Sequence, residues 1–303
     1  MYDVVIIGAG AAGLSCAIYT ARAGLKTLII EHKFIGGQAA TTSSIENYPG
    51  VLNANGAVLT DVMKKQALSF GAELIMASPE EIDFENKIVK LSGRDDVKYR
   101  ALVLCMGAKN RKLGVEREEL LTGAGVSYCA TCDGNFFKGK DVAVVGGGNT
   151  ALEDAIYLSR ICNTVYLIHR RDEFRGSKVL ADEVKNIPQI KLKLNKVVTS
   201  LNAEGFALGS VDIFDVNTEQ TQRLDVSGLF VAVGTYADTT LVKDKLELDE
   251  QGSIVVDRFM RTSIDGVFAA GDVTNTPLKQ VITASADGAI AAMSAEKYLS
   301  VKK

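Results

Sequence analysis

The sequence predicts an α/β chain of two three-layer units, each built on a parallel sheet, with one unit inserted into the other. Three observations carry this. A strand, a glycine-rich turn and a helix open the chain; the same order returns in the same register at its middle; and a strand followed by an alanine-rich helix near the C-terminus completes the first unit.

The opening strand is Asp3 to Ile7, followed by Gly8-Ala9-Gly10-Ala11-Ala12-Gly13, a helix to Ala23 and a second apolar strand, Thr27 to Ile30, that ends at Glu31. In such a turn the first glycine allows the sharp bend, the second lets backbone approach a pyrophosphate, and the third lets helix and strand pack closely. The anion then rests on the helix N-terminus, where N–H groups and the helix dipole favour it. Glu31 lies 21 residues past Gly10, the place from which a carboxylate accepts hydrogen bonds from ribose hydroxyls.

The second unit repeats this with strand Asp141 to Val145, Gly146-Gly147-Gly148-Asn149-Thr150-Ala151, a helix to about Ile161 and strand Thr164 to Ile168. The step from Gly8 to Glu31 and the step from Gly146 to His169 are both 23 residues. His169 and Arg170 therefore stand where the first unit has its acid, followed by Arg171 and Arg175. A carboxylate there would repel a 2′-phosphate, whereas guanidinium groups bind it, so this unit is expected to take NADPH rather than NADH. The competing reading is a solvated basic patch; the distance of the arginines from a complete fingerprint argues against it.

Between the units lies Cys129-Ala130-Thr131-Cys132-Asp133-Gly134. Two thiols separated by two residues close a small disulfide, and one of them commonly becomes the attacking thiolate. Zinc would want two further ligands, and neither a second Cys-x-x-Cys nor a His-x-x-x-His is present, so no metal is expected. Cys16, Cys105 and Cys162 stand among apolar neighbours and read as buried small hydrophobes. Two nucleotides beside a thiol pair point to a flavin as the first, since a flavin accepts a hydride from a nicotinamide and passes electrons to a disulfide. In the tail, Phe268-Ala269-Ala270-Gly271-Asp272 follows a strand at Gly266 to Ala269 and precedes Lys279, Gln280 and a helix from about Ile282, so Asp272 could meet the ribityl chain. The expected organisation is two Rossmann-like nucleotide-binding domains: an FAD-binding domain of residues 1–112 and 242–303, and an inserted NADPH-binding domain of residues 113–241 that carries the cysteines.

Composition agrees with a globular chain of this kind: 303 residues, 47% apolar and 23% charged, with a net charge of −3 that leaves no basic excess for nucleic acid or an anionic membrane. No apolar run approaches the ~18 residues of a membrane span, and the chain opens on a strand rather than a basic leader, which predicts a cytoplasmic protein.

These motifs, together with Gly36-Gly37-Gln38 and Glu46-Asn47-Tyr48-Pro49-Gly50, resemble the low-molecular-weight thioredoxin reductases nearly end to end. The cysteine pair placed just ahead of the second glycine turn is the most specific feature. Relatives of the glutathione reductase type carry their pair near the N-terminus with four residues between, and the alkyl hydroperoxide reductase flavoprotein carries a thioredoxin-like N-terminal extension. The resemblance implies that Gly8, Gly10, Ala11, Ala12, Gly13, Glu31, Gly37, Gln38, Thr41, Asn47, Gly271, Asp272, Lys279, Gln280 and Val281 serve FAD. It implies that Gly146, Gly148, Asn149, Thr150, His169, Arg170, Arg171 and Arg175 serve NADPH. Cys132 would face the flavin, Cys129 would attack a thioredoxin-like dithiol protein, and the protein would be a homodimer. With only His32 and His169 in the chain, Asp133 is the nearest proton carrier, although Asp133-Gly134 also reads as a turn. The sequence departs from the family at Cys105-Met106-Gly107, Ala237-Asp238-Thr239 and Ser285-Ala286-Asp287.

The expected activity is NADPH-dependent reduction of thioredoxin or a close dithiol protein through FAD and the cysteine pair. A ferredoxin or flavodoxin NADP reductase would use both nucleotide sites without the cysteines, and a non-catalytic redox sensor would not need a Cys-x-x-Cys beside an acid. Phe136 and Phe137, just after the motif, are either exposed docking residues or core residues that cap the domain.

Overall fold

The computed structural model describes residues 1–42, 45, 47–52 and 54–301. It divides into two compact units, Met1–Lys109 with Tyr236–Lys303, and Asn110–Thr235.

The first unit begins with β1 (Tyr2–Ile7), α1 (Ala11–Arg22), β2 (Thr27–Glu31), a single helical turn α2 (Gly37–Ala40), α3 (Gly56–Ser69) and β3 (Glu73–Met76). A stretch that carries no nucleotide-binding signature follows: β4 (Pro79–Asp83), β5 (Ile88–Leu91) and β6 (Val97–Leu104) run as an antiparallel meander. The last of these strands continues beside β1 in parallel, pairing Tyr2 with Tyr99 and Ile7 with Leu104. After β7 (Ala108–Asn110) the chain leaves this unit.

In the second unit the order is α4 (Glu118–Leu121), β8 (Val126–Ser127), α5 (Ala130–Asp133), a 3₁₀ turn (Gly134–Phe137), β9 (Asp141–Gly146), α6 (Asn149–Ser159), β10 (Thr164–His169), α7 (Lys178–Asn186) and β11 (Ile190–Leu194). An antiparallel meander of β12 (Lys196–Glu204), β13 (Ala207–Asp215) and β14 (Thr221–Asp225) precedes β15 (Gly228–Ala232). The chain then returns through β16 (Thr235–Ala237), which pairs with β7, so the two crossing segments run side by side. The first unit is completed by β17 (Val267–Ala269), parallel to Leu102–Leu104 of β6, and by α8 (Val281–Val301).

Strand alternation builds three layers in each unit. In the first, Val4 and Ile6 of β1 face α1, α3 and α8, while Val5 and Ile7 face the meander and the segment around Val242, Leu246 and Ile254. Helices α1 and α8 meet through small residues: a Cβ on Gly288 would strike the carbonyl oxygen of Ala12. In the second unit, whose sheet runs β11-β10-β9-β15-β8, Val142 and Val144 face α6 and α7. Ala143 and Val145 face the β12–β14 meander. Cys16, Cys105 and Cys162 are buried, as the sequence predicted, and burial pushes the Cys162 thiol up to about 11. No helix among the described residues is long and apolar enough to cross a membrane.

Candidate active site

The first glycine turn separates its three roles physically. Gly8 has φ +105°, and a Cβ there would strike the carbonyl of Cys105 at the end of β6. A Cβ on Gly13 would strike the carbonyl of Gly8, so α1 packs on the turn as closely as backbone allows. Around Gly10 nothing lies within 4 Å of the same position, which leaves the open cradle at a helix N-terminus that a pyrophosphate requires. Gly36 bridges to Gly10, and the Gly36 N–H donates to Ala9 O at 2.8 Å, which lays the 36–38 segment beside the turn. Gly37 also lies close, its Cβ position 3.3 Å from the Cα of Gly10.

Glu31 is buried, and its carboxylate is shared among backbone donors. Oε2 accepts the Ala9 N–H at 2.7 Å; Oε1 accepts those of His32 at 2.9 Å and Lys33 at 2.8 Å. It thus braces the glycine turn as well as standing at the end of β2. Ala11 and Ala12 are buried in the first turn of α1, and a Cβ on Gly271 would crowd the Ala12 methyl, bringing the tail motif to the same place. Burial pushes the Asp272 carboxyl up, countered by Lys279, whose Nζ donates to Asp272 O at 3.0 Å.

Further along the first unit, Gln38 Nε2 donates to Ala108 O at 2.6 Å, and Thr41 Oγ1 donates to Gln38 O at 2.8 Å. Asn47 Nδ2 donates to Gln280 Oε1 at 3.0 Å, and Val281 opens α8. Glu46, part of the motif that carried the family resemblance, lies outside the described residues. Of the departures, Cys105 lies behind Gly8, and Asp238 pairs with Lys109 at 2.9 Å. Asp287 takes the Gly271 N–H while its Oδ2 is buried with no hydrogen-bond partner among the described residues; burial, opposed by that N–H, raises its carboxyl.

The second turn repeats the pattern with variations. A Cβ on Gly146 would strike Ala232 O, whereas Gly148 again has nothing within 4 Å. Thr150 is exposed, and Asn149 Oδ1 accepts the Ser177 N–H at 2.7 Å. Arg170, Arg171 and Arg175 are exposed, and among the described residues none of their guanidinium groups is in an ion pair. His169 differs from the picture of a cofactor-facing ring. It is buried, its ring occupies the space a Cβ on Gly147 would need, it stacks at 5.5 Å on Phe174, and Nε2 lies 3.1 Å from Glu173 O. Burial, assisted by the three arginines, lowers its pKa, so the neutral ring is favoured and it links the glycine turn to the arginine loop.

Cys129 and Cys132 form a disulfide at the N-terminus of α5. Cys132 is exposed and Cys129 half-buried. The Cys132 N–H donates to Cys129 Sγ at 3.2 Å, and Thr131 Oγ1 lies 3.5 Å from the same sulfur; a disulfide sulfur has no hydrogen, so Thr131 is the donor. Asp133 Oδ2 accepts from Ser127 Oγ at 2.7 Å, a contact the sequence reading missed because a serine two residues ahead of a cysteine carries no pattern of its own. Phe136 is 75% exposed, whereas Phe137 packs edge-on against Phe230 at 5.4 Å and fills the space beside Gly228. Only the first is therefore a surface residue. A cavity of about 260 Å³ lined by Lys87, Lys98, Arg100 and Tyr298 has no cysteine, histidine or carboxylate among its lining residues. No His, Cys, Asp and Glu cluster among the described residues could hold a metal ion.

A family profile described as pyridine nucleotide-disulphide oxidoreductase matches residues 2–288. A thioredoxin reductase of Mycolicibacterium smegmatis is 43% identical over 302 residues, covering 99% of this chain and 97% of that protein. Among solved structures, the thioredoxin reductase of Lactococcus lactis in its FR conformation superposes with a TM-score of 0.93 at 36% identity, covering 99% of this chain and all of that one. That of T. acidophilum gives 0.90 at 33% identity, covering all of this chain and 99% of that one.

Proposed function

Because this chain belongs to the pyridine nucleotide-disulphide oxidoreductase family, we propose that it reduces thioredoxin, or a dithiol protein of the same kind, with NADPH as reductant, FAD as cofactor and Cys129–Cys132 as the exchanged disulfide. The observation that carries the reading is the disulfide itself, flanked by an acid and set in the same unit as a glycine turn with exposed arginines. The unit of β1 and α8 is assigned to FAD, with Gly10 as the open approach, Glu31 at the end of β2 and Asp272 in the turn that follows β17. The inserted unit is assigned to NADPH, with Gly148 as the approach and Arg170, Arg171 and Arg175 for the 2′-phosphate.

Bound in the first cradle, FAD supplies a two-electron relay between a nicotinamide hydride and a disulfide. In the reduced pair, the Cys132 N–H and the Thr131 hydroxyl stabilise a thiolate on Cys129, which favours it as the nucleophile. Cys129 attacks one sulfur of the partner's disulfide, that S–S bond breaks, and a mixed disulfide forms while the other partner sulfur leaves. Asp133 takes the proton of the Cys132 thiol and delivers it to the leaving sulfur. Cys132 then attacks Cys129 Sγ, restoring the Cys129–Cys132 bond and releasing the second partner sulfur as a thiolate, which water protonates. A cytoplasmic homodimer belongs to the same reading, and light scattering of the purified protein tests the dimer.

The direct test mixes the FAD-loaded protein with NADPH and a thioredoxin and follows NADPH loss together with thiol release. Cys129→Ser and Cys132→Ser should each abolish thiol release while NADPH still bleaches the flavin. Thiol release near the wild-type rate in either variant would overturn the assignment.

A further inference from the structure

The exchange chemistry leaves one buried hydroxyl beside the disulfide without a role. Ser127 ends β8, is 4% exposed, and is fixed by the pairing of its backbone with Phe230 of β15. Its Oγ accepts the Cys129 N–H at 3.0 Å and lies 2.7 Å from Asp133 Oδ2 and 3.3 Å from Cys129 O.

One hydroxyl proton can serve only one acceptor. The carboxylate contact is the shorter, and a charge-assisted hydrogen bond is about twice as strong as a neutral one. Cys129 O is already satisfied by the Asp133 N–H at 3.1 Å. The proton therefore goes to Asp133, and a continuous chain runs from the Cys129 peptide N–H through the Ser127 hydroxyl to the Asp133 carboxylate, each bond polarising the next. A serine that merely filled space would need neither end of it.

We infer that Ser127 is a positioning residue for disulfide exchange: it aims the Asp133 carboxylate and ties it to the backbone of the attacking cysteine. Asp133 is only partly buried, and no other hydrogen bond to its side chain is seen among the described residues. Without the serine its side chain would be free to turn into solvent, and a proton carrier misplaced by about 1 Å costs up to a hundredfold in rate.

The inference rests on Asp133 being the proton carrier, and the test separates the two. Ser127→Ala, Ser127→Thr, Asp133→Asn and the Ser127→Ala/Asp133→Asn pair are compared as FAD-loaded enzymes, with flavin bleaching by NADPH and thioredoxin thiol release followed separately. Ser127→Ala should slow thiol release about tenfold, the order expected for a lost charge-assisted bond, with bleaching unchanged. Ser127→Thr should restore most of the rate, and Ser127→Ala should add nothing in the Asp133→Asn background. Wild-type thiol release in Asp133→Asn would sink the role of Asp133 and this inference with it. A slow Asp133→Asn beside a normal Ser127→Ala, or two defects that multiply, would overturn the positioning role alone. Should Ser127→Ala fail to fold, Ser127→Thr against Ser127→Val asks the same question at constant volume, and equal rates in those two would overturn it.

Discussion

Gly10 and Gly13 stand three residues apart in one turn, and the same alanine substitution should move them in opposite directions. Gly10 has φ −76° and ψ −173°, extended backbone that any residue adopts, and a methyl there meets nothing within 4 Å. Gly10→Ala should therefore stabilise the flavin-free protein by about 0.4–1 kcal/mol, because alanine restricts only the unfolded chain. In a domain of this size each kcal/mol is worth about 2–4 °C, so the melting temperature should rise by roughly 1–4 °C. The same methyl occupies the space assigned to the pyrophosphate. Overpacking of that order costs about 1–3 kcal/mol, or from about fivefold to over a hundredfold in FAD affinity. At Gly13 the methyl would lie under 3 Å from the Gly8 carbonyl, a backbone group with nowhere to go, so Gly13→Ala should lower the melting temperature by at least about 2 °C. Calorimetry of the flavin-free variants gives the stabilities, and flavin fluorescence quenching gives the affinities. A Gly10→Ala protein that binds FAD like wild type would refute the assignment of that space to the cofactor, and one that melts several degrees early would refute the reading of the turn.

Three further outcomes are expected. Arg170→Ala or Arg175→Ala should weaken NADPH binding about ten- to a hundredfold, the value of a charge-assisted hydrogen bond, with little change for NADH; equal losses in titrations with both nucleotides would show the arginines to be structural. Phe136→Ala should raise the KM for the dithiol protein at an unchanged melting temperature, whereas Phe137→Ala, which empties the contact with Phe230, should cost about 3 kcal/mol of stability; steady-state kinetics and melts of the two would expose a reversal. Asp154, on α6, has its pKa raised to about 7 by burial and then by Glu153. Since that folded value lies above the ordinary 3.8, the stabilisation from its proton is present at low pH and lost as pH rises towards about 7. Asp154→Asn should accordingly melt with wild type near pH 4 and above it at pH 8, and a gap independent of pH would count against the burial argument.

What the sequence made legible was what local geometry alone determines. Gly8, Gly10 and Gly13 each answer to a constraint set within one turn, and the matching 23-residue steps placed His169 and the arginines at the end of β10. The two antiparallel meanders were not legible, because β4 and β14 each bury a single residue among half-buried and exposed ones, too few to set a period, and the turn glycines Gly93 and Gly205 mark bends without saying which strands pair. Side-chain direction was also hidden. His169 falls at the cofactor position in register, yet its ring turns inward over Gly147, since the missing Cβ there offers a tight apolar slot beside Phe174. Ser127 reaches Asp133 only because β8 ends where α5 begins to curl back, a relation no spacing rule encodes.

The split of the first unit across the chain bears on how it is made. Its central strand β6 emerges from the ribosome with one edge covered by β1 and the start of the other by β5, but the strand for the rest of that edge, beside Leu102–Leu104, is β17, which begins at Val267, after the whole of Asn110–Thr235. At a synthesis rate of about 5–20 residues per second, that edge and the face awaiting α8 stay uncovered for roughly 10–30 s. The inserted unit, contiguous in sequence, is complete well before then. Nascent chains should therefore be most prone to mispairing and chaperone capture between the synthesis of β6 and of β17, when a bare parallel edge is the template for aggregation.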